Sequence, residues 1–192
     1  MLCMKFDALL ERLRGDVVVI VGGMHGDETA GNLAAEKYKQ HAGVVVINNI
    51  NPSNKRRLNG KDINRHFDVD STTPLNDSIL HNILEHDPML VIDLHEDVDA
   101  RGVYAYCSKD LSDEVQDILR AHDLPLAKSA CGDVASAGVI QGGDLPTKGT
   151  LERALTKRNI PYCTFETPTA WKLSKRVQVL CSLVDAMMQE MQ

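Results

Sequence analysis

A chain of 192 residues fits one domain and is long enough to bury roughly 70% of the surface its unfolded form exposes. Its 43% hydrophobic and 25% charged content is that of a soluble globular protein, and a net charge of −6 argues against nucleic-acid or anionic-membrane partners, which need a basic face. No apolar stretch reaches the ~20 residues of a membrane span.

The N-terminal MLCMKFDALLERLRGD sets Leu at helical spacing among charges. That predicts a short amphipathic helix over 5–13 and lacks the apolar run of a signal peptide, so the expected compartment is cytoplasmic. There, five scattered cysteines (Cys3, Cys107, Cys131, Cys163, Cys181) without a CxxC pair read as reduced core thiols. DVVVIVG (16–22) is a continuous apolar run, expected of a strand covered on both faces. Residues 27–40 carry Ala, Leu and Tyr at helical spacing, with Asp27 and Glu28 placed in the first turn, where acids suit the helix dipole.

GVVVINNI (43–50) predicts a second buried strand. A long polar stretch, NPSNKRRLNGKDINRHFDVDSTTP, separates it from a helix over 75–86. MLVIDLH (89–95) and GVYAYC (102–107) follow as strands, and 110–122 as a helix. The small-residue segment 124–147 has no clear period beyond a strand near 138–141. A helix over 148–158, the strand IPYCTFE (160–166) and a closing helix over 173–191 complete the chain. This alternation predicts an α/β three-layer sandwich, with a mixed, mostly parallel sheet and helices on both faces.

Ligands of such sheets gather at the carboxyl ends of the strands. His25, the Asn51–Arg65 loop, His95 and Glu166 all fall at or just past a strand end. His25 and Glu28, three apart at a helix start, can share one side, and His95 closes a distant strand. Two imidazoles and one carboxylate form the donor set of a catalytic zinc site with a coordination position left for water. Singly, each residue has a plainer reading: a surface or capping histidine, a first-turn acid, a satisfied core histidine beside Glu96 or Asp97. The Lys55–Arg65 run also reads as a solvated loop, yet it concentrates positive charge in an acidic chain. Glu166 sits in an apolar strand, where an unpaired acid is costly; Glu152, in a predicted helix, fits solvated surface better.

HGDE, NPSNKRRLNGKDINRHF, VIDLHED and TFETP, in that order, resemble the zinc carboxypeptidase superfamily. That superfamily includes murein-peptide amidases and deacylases of the succinylglutamate desuccinylase and aspartoacylase type. The resemblance spans about residues 17–171. It implies one Zn²⁺ held by His25, Glu28 and His95, with Asp62 orienting a ligand imidazole. It implies Asn64 and Arg65 as the clamp on a substrate carboxylate, Arg57 (with Arg56 adjacent in register) as the group polarising the scissile carbonyl, and Glu166 as the catalytic glutamate. The substrate is then a peptide or N-acyl amino acid with a free carboxylate. No tyrosine lies between 125 and 160, where larger relatives carry a mobile capping tyrosine; Tyr104 and Tyr106 fall in a predicted strand. Too little chain follows Glu166 for a further β domain, so a trimmed architecture is expected. A metallocarboxypeptidase-like amide hydrolase leads, an N-acyl amino acid deacylase is the alternative, and a zinc-binding pseudo-enzyme is the reading outside catalysis. A phosphate-binding turn is poorly supported, because GGMHGDE is not GxGxxG and its acids would repel phosphate.

Overall fold

The computed structural model describes residues 16–68, 70, 72–130, 133–140 and 146–191. The helix expected at 5–13, Cys3 and Cys131 lie outside the described residues. The elements, in chain order, are β1 (Val18–Gly22), α1 (Thr29–Glu36), β2 (Val44–Ile47), a 3₁₀ turn (Ile63–Arg65), α2 (Pro74–Leu84), β3 (Leu90–Asp97) and β4 (Tyr104–Cys107). A second 3₁₀ turn (Lys109–Leu111), α3 (Ser112–Ala121), β5 (Ser129–Ala130), β6 (Asp133–Ser136), β7 (Val139–Ile140), α4 (Leu151–Thr156), β8 (Tyr162–Pro168) and α5 (Leu173–Glu190) follow.

Among the described residues the sheet has eight strands in the order β2-β1-β3-β8-β4-β7-β6-β5. The four at one end, β2, β1, β3 and β8, are mutually parallel. β4 runs antiparallel to β8, and β7 parallel to β4. The architecture is therefore the expected α/β sandwich with a mixed sheet.

Alternation along the strands assigns the layers, because successive side chains of a strand point to opposite faces. Val18, Ile20, Leu90, Ile92, Leu94, Cys163 and Phe165 pack with α1, α3 and α5. Val19, Val21, Val91 and Tyr162 pack with α2 and α4. His95 and Glu166 continue the second set, so both stand on the α2/α4 face at the carboxyl end of their strands. They are register partners across β3 and β8. The helix α1 lies very close to β3: a Cβ on Gly31 would sit 2.3 Å from Leu94 O, so only glycine fits that crossing. Among the described residues no helix is long and apolar enough to cross a membrane.

Two expectations change. Glu28 is not in the first turn of a helix; it occupies the residue before α1 with φ −92° and ψ 72° and makes no side-chain cap. Its carboxylate is used elsewhere, as described below, and the open amide of Ala30 instead donates to Glu96 Oε1 at 2.6 Å. The segment 124–147 holds three short strands, where one was expected. Small residues without period give no alternation to read, and these strands form only as additions to an existing sheet edge.

Candidate metal centre

The turn after β1 brings His25 and Glu28 together. Glu28 N donates to His25 O at 3.2 Å, so the two side chains meet across a tight turn rather than along a helix. Gly26 allows this turn to lie against the next loop. Its amide donates to Lys55 O at 3.0 Å, and a Cβ there would be 2.7 Å from Asn51 O. Asn51, almost fully buried, shapes that loop by donating to the carbonyls of Lys55 and Arg56 at 2.9 and 3.3 Å.

His25, Glu28 and His95 each offer a ligand atom within 4.8 Å of the others, and all three are buried. His25 Nδ1 is 2.6 Å from Glu28 Oε1, and His95 Nδ1 is 2.8 Å from Glu28 Oε2. The opposite ring nitrogens face carboxylates of their own. His25 Nε2 lies 3.0 Å from Asp62 Oδ1, and His95 Nε2 lies 2.9 Å from Asp93 Oδ2. The imidazole rings pack edge to face with centroids 5.1 Å apart.

This arrangement fits a cation for a chemical reason. A neutral imidazole carries one ring proton. If Nε2–H donates to Asp62 or Asp93, the Nδ1 lone pair points at a Glu28 oxygen, and two lone pairs at such range repel. Glu28 Oε2, on a buried carboxylate, faces only His95 Nδ1, at 2.8 Å. A positive centre between the three groups, or protons on both rings, relieves the conflict. Glu28, Asp62 and Asp93 against the Arg56 guanidinium, 3.1 Å from Glu28 Oε1, leave two formal negative charges. A divalent ion with neutral histidines balances that count. Imidazoles backed by carboxylates on their far nitrogens are the usual support for bound metal.

The electrostatics of the protein alone report the same pressure. Burial by itself would lower the His25 and His95 pKa values, but the carboxylates around them win, and both are raised. Burial acts to raise Glu28, yet the two histidines pull it down to about 2. Asp62 likewise resists burial and is held at about 2, chiefly by His25.

The remaining site residues come from three elements. Asp62 accepts from Asn64 N at 3.0 Å and so caps the 3₁₀ turn that presents Asn64 and Arg65. Asn64 is buried, and its Oδ1 accepts from Leu151 N at 2.8 Å, which commits the oxygen and leaves its NH₂ as the group able to donate to a ligand. Arg65 is exposed, with Nη1 donating to Asn64 O at 2.5 Å. Gly149 (φ +85°) fits under this turn, since a Cβ there would be 2.3 Å from Arg65 O. Arg57 is exposed beside Arg56. Glu166 Oε2 is buried and has no hydrogen-bond partner among the described residues; burial raises its pKa well above the usual carboxylate range, partly opposed by His95.

Two participants escaped the sequence reading. Asp93 precedes His95 by two in a strand and therefore shares its face, a period-two signal that could have found it. Glu96, weighed only as a substitute ligand, points to the other face. Its side chain is fully buried, accepts from Ala30 N and pairs with Arg176 of α5. It ties the start of α1 to the strand that carries His95.

No protein-family model and no curated protein sequence matches the chain. Solved structures do. A candidate metallopeptidase from Shewanella denitrificans OS217 is similar at TM-score 0.72 with 21% identity, over 91% of this chain and 73% of that one. The murein-tripeptide amidase MpaA from Escherichia coli O157 is similar at TM-score 0.58 and 15% identity, over 92% and 81%. A succinylglutamate desuccinylase from Silicibacter sp. TM1040 is similar at TM-score 0.64 and 15% identity, over 91% and 57%. The chain shares its fold with these structures. Structures described as a metallopeptidase, an amidase and a desuccinylase all have this fold.

Proposed function

We propose that the protein is a zinc-dependent hydrolase of the metallocarboxypeptidase kind, cleaving an amide bond next to a free carboxylate. The observation that carries this reading is the buried His25–Glu28–His95 cluster, backed by Asp62 and Asp93, with the buried Glu166 Oε2, unpartnered among the described residues, on the adjoining strand. His25, Glu28 and His95 would hold one Zn²⁺, which when bound supplies a Lewis acid able to acidify water and polarise a carbonyl. Glu166 takes the proton of the attacking water and returns it to the departing amine. Arg57 stabilises negative charge developing on the carbonyl oxygen, where a preorganised cation acts most strongly. Arg56, already committed to Glu28, tempers the charge of the cluster. The Asn64 NH₂ and the Arg65 guanidinium hold the substrate carboxylate, and so fix the amide against the reacting groups.

The test is turnover of C-terminally free peptides by the zinc-loaded protein. Glu166→Gln is expected to keep zinc and lose turnover by 10²-fold or more, on the scale of a missing general base. Arg65→Ala is expected to raise KM, and Arg57→Ala to lower kcat more than KM. Retained kcat in Glu166→Gln would move the base elsewhere. A deacylase reading is supported by the shared fold of the desuccinylase neighbour. N-acetyl and N-succinyl amino acids assayed beside the peptides separate the two.

A further inference from the structure

Two cysteines face each other across the seam where the sheet changes direction. Cys107 closes β4 and Cys163 is the second residue of β8, and the antiparallel register pairs them directly. Side chains at paired positions stand on one face of a sheet, and both thiols pack into the layer of α1, α3 and α5. Both are free. As small apolar groups they could do no more than fill space there, but their spacing allows chemistry as well.

The ladder fixes that spacing. Ser108 N donates to Tyr162 O at 3.0 Å, which makes Ser108 and Tyr162 a hydrogen-bonded pair, with Tyr162 N turned to Ser108 Oγ at 2.8 Å. Pairs alternate along an antiparallel ladder, so Cys107 and Cys163 form a non-hydrogen-bonded pair, the type whose Cα atoms approach to about 4.5 Å. Disulfides span Cα separations of about 4.4–6.8 Å, so the two strands already stand within bridging range, at its near end. A bridge held at that end is less relaxed than most and correspondingly easy to reduce. Access sets an order. Cys107 is half-buried and can meet a reagent from solvent, whereas Cys163 is 0% exposed and has Cys107 across from it. Burial and the Glu114 charge push the Cys107 thiol up to about 12, and burial raises Cys163 as well, so reaction draws on a small thiolate fraction and is slow at neutral pH.

We propose that Cys107 and Cys163 are a reversible thiol–disulfide pair, oxidised by a small-molecule disulfide such as that of glutathione. Cys107 Sγ loses its proton to solvent, attacks one sulfur of the glutathione disulfide and expels one glutathione thiolate, leaving a mixed disulfide. Cys163 Sγ then gives up its proton and attacks Cys107 Sγ, which forms the Cys107–Cys163 bond and expels the second glutathione thiolate. The two protein thiols lose two electrons and two protons, and the oxidant takes up both as two thiols. Among the described residues β7, β6 and β5 join the sheet through β4, so the bridge ties that whole extension to β8, three residues before Glu166.

The experiment incubates the folded whole chain with excess glutathione disulfide, quenches with acid, alkylates remaining thiols under denaturation and maps the peptides by mass spectrometry without reduction. Wild type is expected to yield a peptide cross-linked through Cys107 and Cys163, and excess reduced glutathione added before the quench is expected to remove it. Cys163→Ser is expected to hold glutathione on Cys107, because the thiol that would displace it is gone. Cys107→Ser is expected to leave Cys163 unmodified while the chain stays folded by circular dichroism. Cys181→Ser, altered on α5 away from the pair, is expected to cross-link as wild type does. The wild-type result decides alone if a variant misfolds. Absence of the Cys107–Cys163 peptide from oxidised wild type overturns the proposal, and so does a cross-link that survives excess reduced glutathione. Glutathione found on Cys163 of folded Cys107→Ser, or none on Cys107 of folded Cys163→Ser, overturns the order of attack.

Discussion

Asp93 offers the sharpest handle on the metal centre, because it touches a ligand without being one. Its Oδ2 lies 2.9 Å from His95 Nε2, and both side chains are 3% exposed, so solvent does little to screen the pair. The carboxylate fixes the proton on Nε2, aims Nδ1 at the cluster and makes the ring a stronger donor. Asp93→Asn can keep an acceptor for the Nε2 proton while discarding the charge; Asp93→Ala discards both. Loss of such a carboxylate weakens metal binding by about 10- to 100-fold, or about 1.4–2.8 kcal/mol at 25 °C by the tenfold-per-1.4 rule. Asparagine should fall near the lower end and alanine near the upper. Competition titration of zinc against a chromophoric chelator reads the affinity, with circular dichroism as a folding control. Zinc affinity within twofold of wild type in both folded variants would refute the view that His95 binds metal through Nδ1 with Asp93 behind it.

Three further outcomes are expected. Gly31→Ala drives a Cβ to 2.3 Å from Leu94 O, a backbone atom that cannot turn aside, so thermal unfolding should show a loss of ~1–3 kcal/mol from overpacking; unchanged stability would mean α1 can slide on β3. Glu96→Ala leaves the Arg176 guanidinium without its buried carboxylate, with an expected cost of ~3–5 kcal/mol in chemical denaturation, while Glu96→Gln, still able to accept from Ala30, should lose less; the reverse order would contradict the pairing. In metal-free protein the folded-state pKa values of His25 and His95 are raised. Their stabilising contribution is therefore complete below the ordinary value of 6.5 and is lost as pH climbs through the raised values. The Tm of metal-free protein should fall on raising pH from 6.5 into that window, zinc should abolish the fall, and zinc binding should release protons in buffers of differing ionisation enthalpy. A flat pH profile without metal would show that the imidazoles are not charged.

Much of this was readable in the sequence because the strands are strongly patterned. The apolar runs at 16–22, 89–95 and 160–166 place His25, His95 and Glu166 at or just past the carboxyl ends of neighbouring strands, and motif resemblance then implies roles for them. The chain does not advertise which acid goes where. Glu28 looks like a helix-start acid, yet its carboxylate turns back to two histidines, one of them supplied by a strand nearly seventy residues on. Glu96 and Glu152 look equally ordinary. Each is buried by a partner distant in sequence, Arg176 for the first and Thr164 on β8 for the second, and local pattern carries no trace of either contact. The short strands β5 and β6 are made mostly of small residues, which carry no alternation to read.

Metal content of gently purified protein, measured by elemental mass spectrometry for wild type and His95→Ala side by side, addresses the central claim most directly. One zinc per wild-type chain and its loss from a still-folded His95→Ala is the expected result. Equal zinc in both proteins, or none in a wild type that also fails to take it up on titration, would contradict a metal centre built from His25, Glu28 and His95.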